Sequence, residues 1–326
     1  LFRSDVPDMS PEEIETLVGE IVPDVKAAEL AETGEIDVAH SVPGLGRFRI
    51  NIYRQRGSLS LAIRRVVPGA PAITDLGVPP VVAQLASASD GLVIVAGPAA
   101  SGKTTTVSAM IDHVNSTSAK HIVTVEDPIE VLHSDRMSII SQRELGSDTM
   151  DVADAVRRAG RQDADVIFVS DLPDARAVQA ILSVAGAGRL VMAVLPAVTA
   201  VEAIGRLIDA YPIHQHGQVR QHLSNVLRGV VCQRLLDRAD GRGRVPAVEA
   251  LVVTPKVADV LAADADAAAL EKLMTDGDYY GMQTFDQALF HLFREDYVSL
   301  DAALAAAARP EDLRIAVQQA GLATLH

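Results

Sequence analysis

The chain has 326 residues, a length that accommodates two or three domains. Hydrophobic residues make up 48% and charged residues 22%, too apolar for a disordered chain, and the net charge of −14 argues against non-specific nucleic-acid binding by the whole surface. A single cysteine, Cys232, excludes an internal disulfide framework and a thiolate zinc cluster, and it fits a reducing compartment. Of the 29 basic residues only five are lysines: Lys26, Lys103, Lys120, Lys256 and Lys272. The chain opens on Leu1 rather than Met, as a fragment would, and nothing near its start reads as a signal peptide.

Residues 1–67 read as a small α/β module. Ser10 can cap a helix, Pro11 suits its first turn, and Glu12 and Glu13 complement its positive end. Ile14, Leu17, Val18 and Ile21 follow at helical spacing. From Ile36 the pattern becomes strand-like, with alternation through Arg47-Phe48-Arg49-Ile50-Asn51-Ile52-Tyr53. Residues 68–80, punctuated by Pro68, Gly69, Pro71, Gly77, Pro79 and Pro80, read as a linker.

Residues 81–326 follow the pattern of a parallel α/β core. Short continuous apolar runs at Leu92–Ala96, Ile122–Val125, Val166–Val169 and Leu190–Leu195 are expected as strands buried on both faces. Ala180–Gly205 mimics a membrane span, but Arg189, Pro196 and three glycines make a buried strand between helix ends the better reading. The run Val226–Leu236, with Cys232 inside it, reads as an apolar helix. A polar turn at Asp237–Arg244 then precedes a strand at Ala247–Val253, and the chain beyond Pro255 reads as Ala-rich helix. His214, His216 and His222 are expected as solvated or interface groups, because two residues apart on a helix do not share a face.

The most specific signal is Gly97-Pro98-Ala99-Ala100-Ser101-Gly102-Lys103-Thr104-Thr105, a full match to G-x-x-x-x-G-K-[ST]. An apolar strand precedes it and a helical stretch follows. That order aims backbone N–H groups and a helix N-terminus at a polyphosphate. Lys103 is then expected at the β- and γ-phosphates and Thr104 on Mg²⁺. Glu126-Asp127-Pro128-Ile129-Glu130 puts carboxylates at the carboxyl edge of the next strand, where ligands bind in open α/β sheets. One such carboxylate suits water activation. Asp163-Ala164-Asp165-Val166-Ile167-Phe168-Val169-Ser170-Asp171 is an apolar strand ending in Asp171, a Walker B type feature whose carboxylate faces the metal.

In this order and spacing, the three elements resemble the secretion ATPases of type II secretion and type IV pilus machines, and most of all their pilus retraction motors. Val42-Pro43-Gly44-Leu45-Gly46-Arg47-Phe48-Arg49-Ile50-Asn51 precedes the loop. Glu126 to Glu130 looks like the family's Asp box, followed by Gln142-Arg143-Glu144. Ala155-Val156-Arg157, Arg161 and Asp165 lead into the Walker B strand, and Gly281-Met282-Gln283-Thr284-Phe285-Asp286 resembles a C-terminal retraction-motor signature. The resemblance implies an α/β protein with a PAS-like N-terminal domain, here lacking its first strands, and a RecA-like P-loop core with C-terminal helices. It implies ATP and Mg²⁺ as ligands, with Glu126 and Asp171 as catalytic carboxylates and Thr104 and Asp171 near the metal. It also implies a homo-hexamer in the cytoplasm at the inner face of the membrane, working on a pilus platform protein and beside a paralogous ATPase, with no nucleic-acid partner.

Arginines of the N-terminal domain would reach the phosphates. Six fall within 19 residues: Arg47, Arg49, Arg54, Arg56, Arg64 and Arg65. Phosphate sensing by Arg49 or Arg64, a solvated strand face and a local nucleic-acid patch all remain open on this pattern.

The departures from the family concentrate in the catalytic motifs. Its Walker B strand ends Gly-Glu with Arg two residues later; Ser170, Asp171 and Pro173 stand there. Its His box, A-E-T-G-H followed by L-H-T, becomes Ala185-Gly186-Ala187-Gly188-Arg189 followed by Leu195-Pro196-Ala197. Loss of one transition-state donor commonly costs about 10²–10³ in rate. Nucleotide binding with weakened hydrolysis is therefore expected, unless Arg189 and Glu126 compensate.

Overall fold

A computed structural model describes residues 8–263 and 267–322. The chain divides into two compact units, one of residues up to Pro68 together with Glu130–Leu132, the other of Gly69–Ile129 and the chain from His133 onward.

In the smaller unit, α1 (Pro11–Ile21) opens with a reciprocal cap: Glu13 N donates to Ser10 Oγ at 3.2 Å and Ser10 N to Glu13 Oε2 at 2.7 Å. After α2 (Asp24–Thr33), strands β1 (Glu35–Val42), β2 (Gly46–Gln55) and β3 (Ser58–Arg65) form an antiparallel sheet in sequence order. Alternation gives the sheet one apolar face, where Ile36, Val38, Ile50, Ile52 and Leu59 pack with Val18 and Leu30 of the helices. The opposite face carries Arg49 and Arg64 as direct cross-strand partners. The short β4 (Val67–Pro68) closes the run.

Of residues 68–80, expected as a linker, those from Gly69 onward belong to the larger unit, where a 3-10 turn at Ile73–Leu76 buries Ile73. The order continues with α3 (Val81–Ala86), β5 (Gly91–Ala96), α4 (Lys103–Thr117) and β6 (His121–Glu126). Next, β7 (Val131–Leu132) pairs with β4 and so belongs to the smaller unit, a return that no sequence pattern announced. Then follow β8 (Ile139–Glu144), α5 (Val152–Arg161), β9 (Val166–Val169), α6 (Ala175–Gly186), β10 (Leu190–Leu195), α7 (Ala200–Asp209), α8 (His216–Val226), β11 (Leu227–Asp237) and β12 (Arg244–Val252). Helices α9 (Pro255–Ala262), α10 (Ala267–Thr275), α11 (Phe285–Arg294), α12 (Leu300–Ala306) and α13 (Pro310–Gln319) complete the described chain.

The large sheet runs β12-β11-β5-β10-β9-β6-β8, parallel except for the antiparallel edge strand β12. Strands β5 and β9 are buried throughout, and apolar clusters cover both faces, as a doubly wound sheet requires. β10 lies between the phosphate-loop strand β5 and the Walker B strand β9, the strand order of a RecA-like core.

Two further elements differ from expectation. Val226–Leu236 is not a helix: Leu227–Asp237 is the strand β11, buried between β5 and β12. A continuous apolar run has no period to separate the two states, and the β-branched pair Val230 and Val231 favours the strand. Strand β8 went unread because its register against β6 is apolar only at Ile139 and Ile140. The apolar 180–205 stretch resolves into α6, β10 and α7, and no helix among the described residues is long and apolar enough to cross a membrane.

Strand β12 carries a buried carboxylate, Glu249. It accepts Ala200 N at 2.6 Å and Phe285 N at 3.4 Å, the first residues of α7 and α11. Burial pushes this carboxyl up, against the pull of the two N–H donors and Arg234. A raised folded-state value means that the stabilising contribution is complete below the unfolded carboxyl range and is lost as pH rises through the folded value. The melting temperature of Glu249→Gln is therefore expected to gain on the wild type as pH rises from about 4.3. A difference that stays constant with pH overturns this.

Candidate nucleotide-binding site

The site is built on the turn between β5 and α4. Gly97 N donates to Leu195 O at 3.3 Å, which sets the loop against the end of β10. A Cβ at Gly97 would stand 2.4 Å from Gln233 O and from Ser101 Oγ, and Gly102 has φ +87° with Gln233 Nε2 2.7 Å from its ideal Cβ. Only glycine fits a backbone that turns so tightly against β11. Helix α4 begins at Lys103, so its first N–H groups face the loop's concavity.

Lys103 Nζ donates to Gly97 O at 2.8 Å and to Pro98 O at 2.7 Å, which holds the ammonium over the loop. Thr104 is the second residue of α4 and half-buried; Thr105 is exposed, as are Pro98, Ala99 and Ala100. The Ser101 hydroxyl is buried with no hydrogen-bond partner. A glycine-lined cradle, an orphaned hydroxyl and an ammonium at its mouth fit a polyphosphate. The hard oxygen donors of Thr104 and Asp171 suit Mg²⁺.

The loop is clamped from beneath by Gln233, which is 3% exposed. Its Nε2 donates to Ser101 O at 2.9 Å, and its Oε1 accepts Thr106 Oγ1 at 2.7 Å. Sequence reading missed this residue, because a helix through 226–236 would not aim it at the loop. The signal was a lone amide inside Val230-Val231-Cys232-Gln233. Gln233→Leu leaves two buried polar groups unpaired, at about 1–3 kcal/mol each, so ATP affinity is expected to fall by about tenfold or more. An isothermal titration reads this, and unchanged affinity overturns it.

The carboxylates sit along the same edge. Register pairs Val125 with Val169, Val169 with Ala193, and Leu195 with Ala96. Asp171 is thus level with Ala96, two strands away, or about 10 Å at the usual strand spacing. Its side chain is exposed. Glu126 is 6% exposed, and its Oε1 accepts Thr124 Oγ1 at 2.7 Å and Gln142 Nε2 at 2.9 Å. Ser170 Oγ accepts Asp127 N at 2.9 Å, tying the Asp box to the Walker B strand.

Three sequence candidates remain. Arg49 and Arg64 are in the smaller unit, exposed, with Arg49 Nε 3.6 Å from Asp37 Oδ1. Arg189 was expected as a possible compensating cation. It stands at the opposite end of β10, where its carbonyl accepts Gly91 N and its guanidinium pairs with Asp163 at 3.3 Å. The length of β10, about 20 Å at the usual rise, separates it from its own phosphate loop. Residues of the C-terminal signature make structural hydrogen bonds. Gln283 and Ala250 exchange backbone hydrogen bonds, Thr284 and Gln287 cap α11 reciprocally, and Asp286 accepts Ala308 N and Arg309 N.

The profile of the Type II/IV secretion system proteins, T2SSE, matches residues 72–278. The chain belongs to this family of secretion and pilus ATPases. Among T2SSE relatives, the type IV pilus ATPase PilU of Pseudomonas aeruginosa is 35% identical, over 95% of this chain and 81% of PilU. The pilus retraction ATPase PilT of the same organism is 33% identical, over 95% of this chain and 90% of PilT. A crystal structure of the pilus retraction motor PilT with bound ADP superposes with a TM-score of 0.86 at 38% identity, over 95% of this chain and 88% of that one. The T2SSE fold, type IV pilus kinship and ATPase class follow from these matches.

Proposed function

We propose that the protein is an ATP-binding subunit of a hexameric type IV pilus or related secretion motor, with hydrolysis weakened by its altered catalytic motifs. The observation that carries this is an intact, clamped phosphate loop; the weakening rests on the resemblance, by which Asp171 and Pro196 stand where the family has Glu and His. Loop N–H groups, Lys103 and the Ser101 hydroxyl hold the phosphates. Thr104 and Asp171 would hold Mg²⁺, which would supply neutralisation of charge on the phosphate oxygens. Glu126 orients and polarises the attacking water, and Arg49 and Arg64 sense phosphates from a neighbouring subunit. The partners are a platform protein at the inner face of the membrane and an active paralogous ATPase.

A second reading, a nucleotide-binding subunit that does not hydrolyse and works as a structural partner, is favoured by the placement of Arg189 away from the loop. Affinity and turnover measured together on the purified assembly separate the two. Micromolar ATP binding with slow turnover supports the first reading, and tight binding with none supports the second. Turnover at the rate of an intact retraction motor overturns the weakened-site reading, and turnover stimulated by DNA would overturn the expectation of no nucleic-acid partner.

A further inference from the structure

Gln142-Arg143-Glu144 is a sequence signature that nucleotide binding leaves without a task. The structure places Gln142 and Glu144 on one face of β8, opposite Thr124 and Glu126 of β6. Their side chains grip the backbone at two points. Glu144 Oε2 accepts Ile129 N at 3.1 Å, and Gln142 Oε1 accepts His133 N at 2.9 Å. Ile129 and His133 flank Glu130–Leu132, the three residues that belong to the smaller unit. The grip thus falls where the chain leaves the larger unit and where it re-enters.

The same Gln142 carboxamide donates through Nε2 to Glu126 Oε1. Its orientation is fixed by its partners, since a backbone N–H must donate and a carboxylate must accept. Because the amide is planar, a shift of the backbone at His133 turns the group and moves its bond to Glu126. The far end of β8 is held still by a turn in which Glu144 N donates to Asp148 Oδ2 at 2.8 Å and Leu145 N to Glu126 O at 2.8 Å.

We infer that Gln142 is a positioning residue whose carboxamide links the orientation of the Glu126 carboxylate to the chain at His133, with Glu144 anchoring the exit at Ile129. The inference rests on the reading of Glu126 as the water-polarising group. It gives the motor a route by which the smaller unit's connecting chain sets the readiness of the hydrolytic carboxylate.

The test uses the full chain with Mg²⁺ and ATP or a non-hydrolysable imido analogue, and follows amide exchange, nucleotide affinity and turnover. Gln142→Glu keeps the acceptor for His133 N but loses the donor to Glu126. His133 exchange and nucleotide Kd are expected to stay within about threefold of wild type while kcat falls by about tenfold or more. Gln142→Leu loses both bonds, so His133 exchange speeds up by about tenfold or more and kcat falls as well. Glu144→Gln keeps an acceptor and is expected to match wild type in both. Wild-type kcat in Gln142→Glu, or unchanged His133 exchange in Gln142→Leu, overturns the inference. If the wild type binds without turning over, His133 exchange must change on binding the analogue, and that change must vanish in Gln142→Glu with affinity intact. Binding with no response at His133 overturns the inference alone, whereas failure to bind the analogue overturns the nucleotide reading and the inference with it.

Discussion

Lys103→Ala is expected to weaken ATP binding by about 10²–10³-fold, since hydrogen bonds to charged groups contribute about 1.5–3 kcal/mol each and about 1.4 kcal/mol is a factor of ten. The ammonium already lies over the loop, bonded to the carbonyls of Gly97 and Pro98. It can exchange those neutral acceptors for phosphate oxygens with little movement of its stem. Alanine at the first position of α4 keeps the helix and removes the cation together with its bonds to the two loop carbonyls. The melting temperature without nucleotide is expected to fall little while affinity collapses. Lys103→Arg is not expected to rescue, because a planar guanidinium does not reproduce a compact point charge in a glycine-lined cradle. Fluorescent-nucleotide titration reads all three proteins, and a Lys103→Ala affinity within about threefold of wild type would sink the phosphate role.

What the sequence made legible follows from how local each signal is. The phosphate loop is contiguous, and its glycines, Lys103 and Thr104 carry their geometry with them. Buried parallel strands were legible as apolar runs, with Val166–Val169 and Leu190–Leu195 matching to the residue. The illegible parts depend on partners distant in the chain. Gln233 clamps Ser101 across more than 130 positions, and the run that holds it has no period to mark it as strand. Glu126 was legible as a carboxylate at a strand's edge, but its burial beneath Gln142 and Thr124 was not. Arg189 looked like a substitute for a catalytic histidine because alignment by motif says nothing about which end of a strand a residue occupies. The pairing of Val131–Leu132 with Val67–Pro68 is two residues long and leaves no pattern.

On the proposed reading that the resemblance puts Glu and His where Asp171 and Pro196 stand, Asp171→Glu with Pro196→His is expected to raise turnover, increasing kcat by about tenfold or more, against the 10²–10³ that loss of one transition-state donor commonly costs. The geometry favours both positions. Asp171 is level with the end of β10 on the neighbouring strand, and Gly97 N is bonded to Leu195 O, so position 196 adjoins the start of the phosphate loop. Pro196 and Asp171 are both exposed, so neither change disturbs the core. Groups that act as a unit are not additive, and each single variant is expected to gain less than about threefold. KM for ATP should change little, because the loop, Lys103, Thr104 and the Gln233 clamp are untouched. This split between kcat and KM distinguishes repaired chemistry from repaired binding. No gain in the double variant, with its melting temperature unchanged, would mean that residues other than 171 and 196 limit hydrolysis. The non-hydrolysing partner role would then be the better account of an intact phosphate loop.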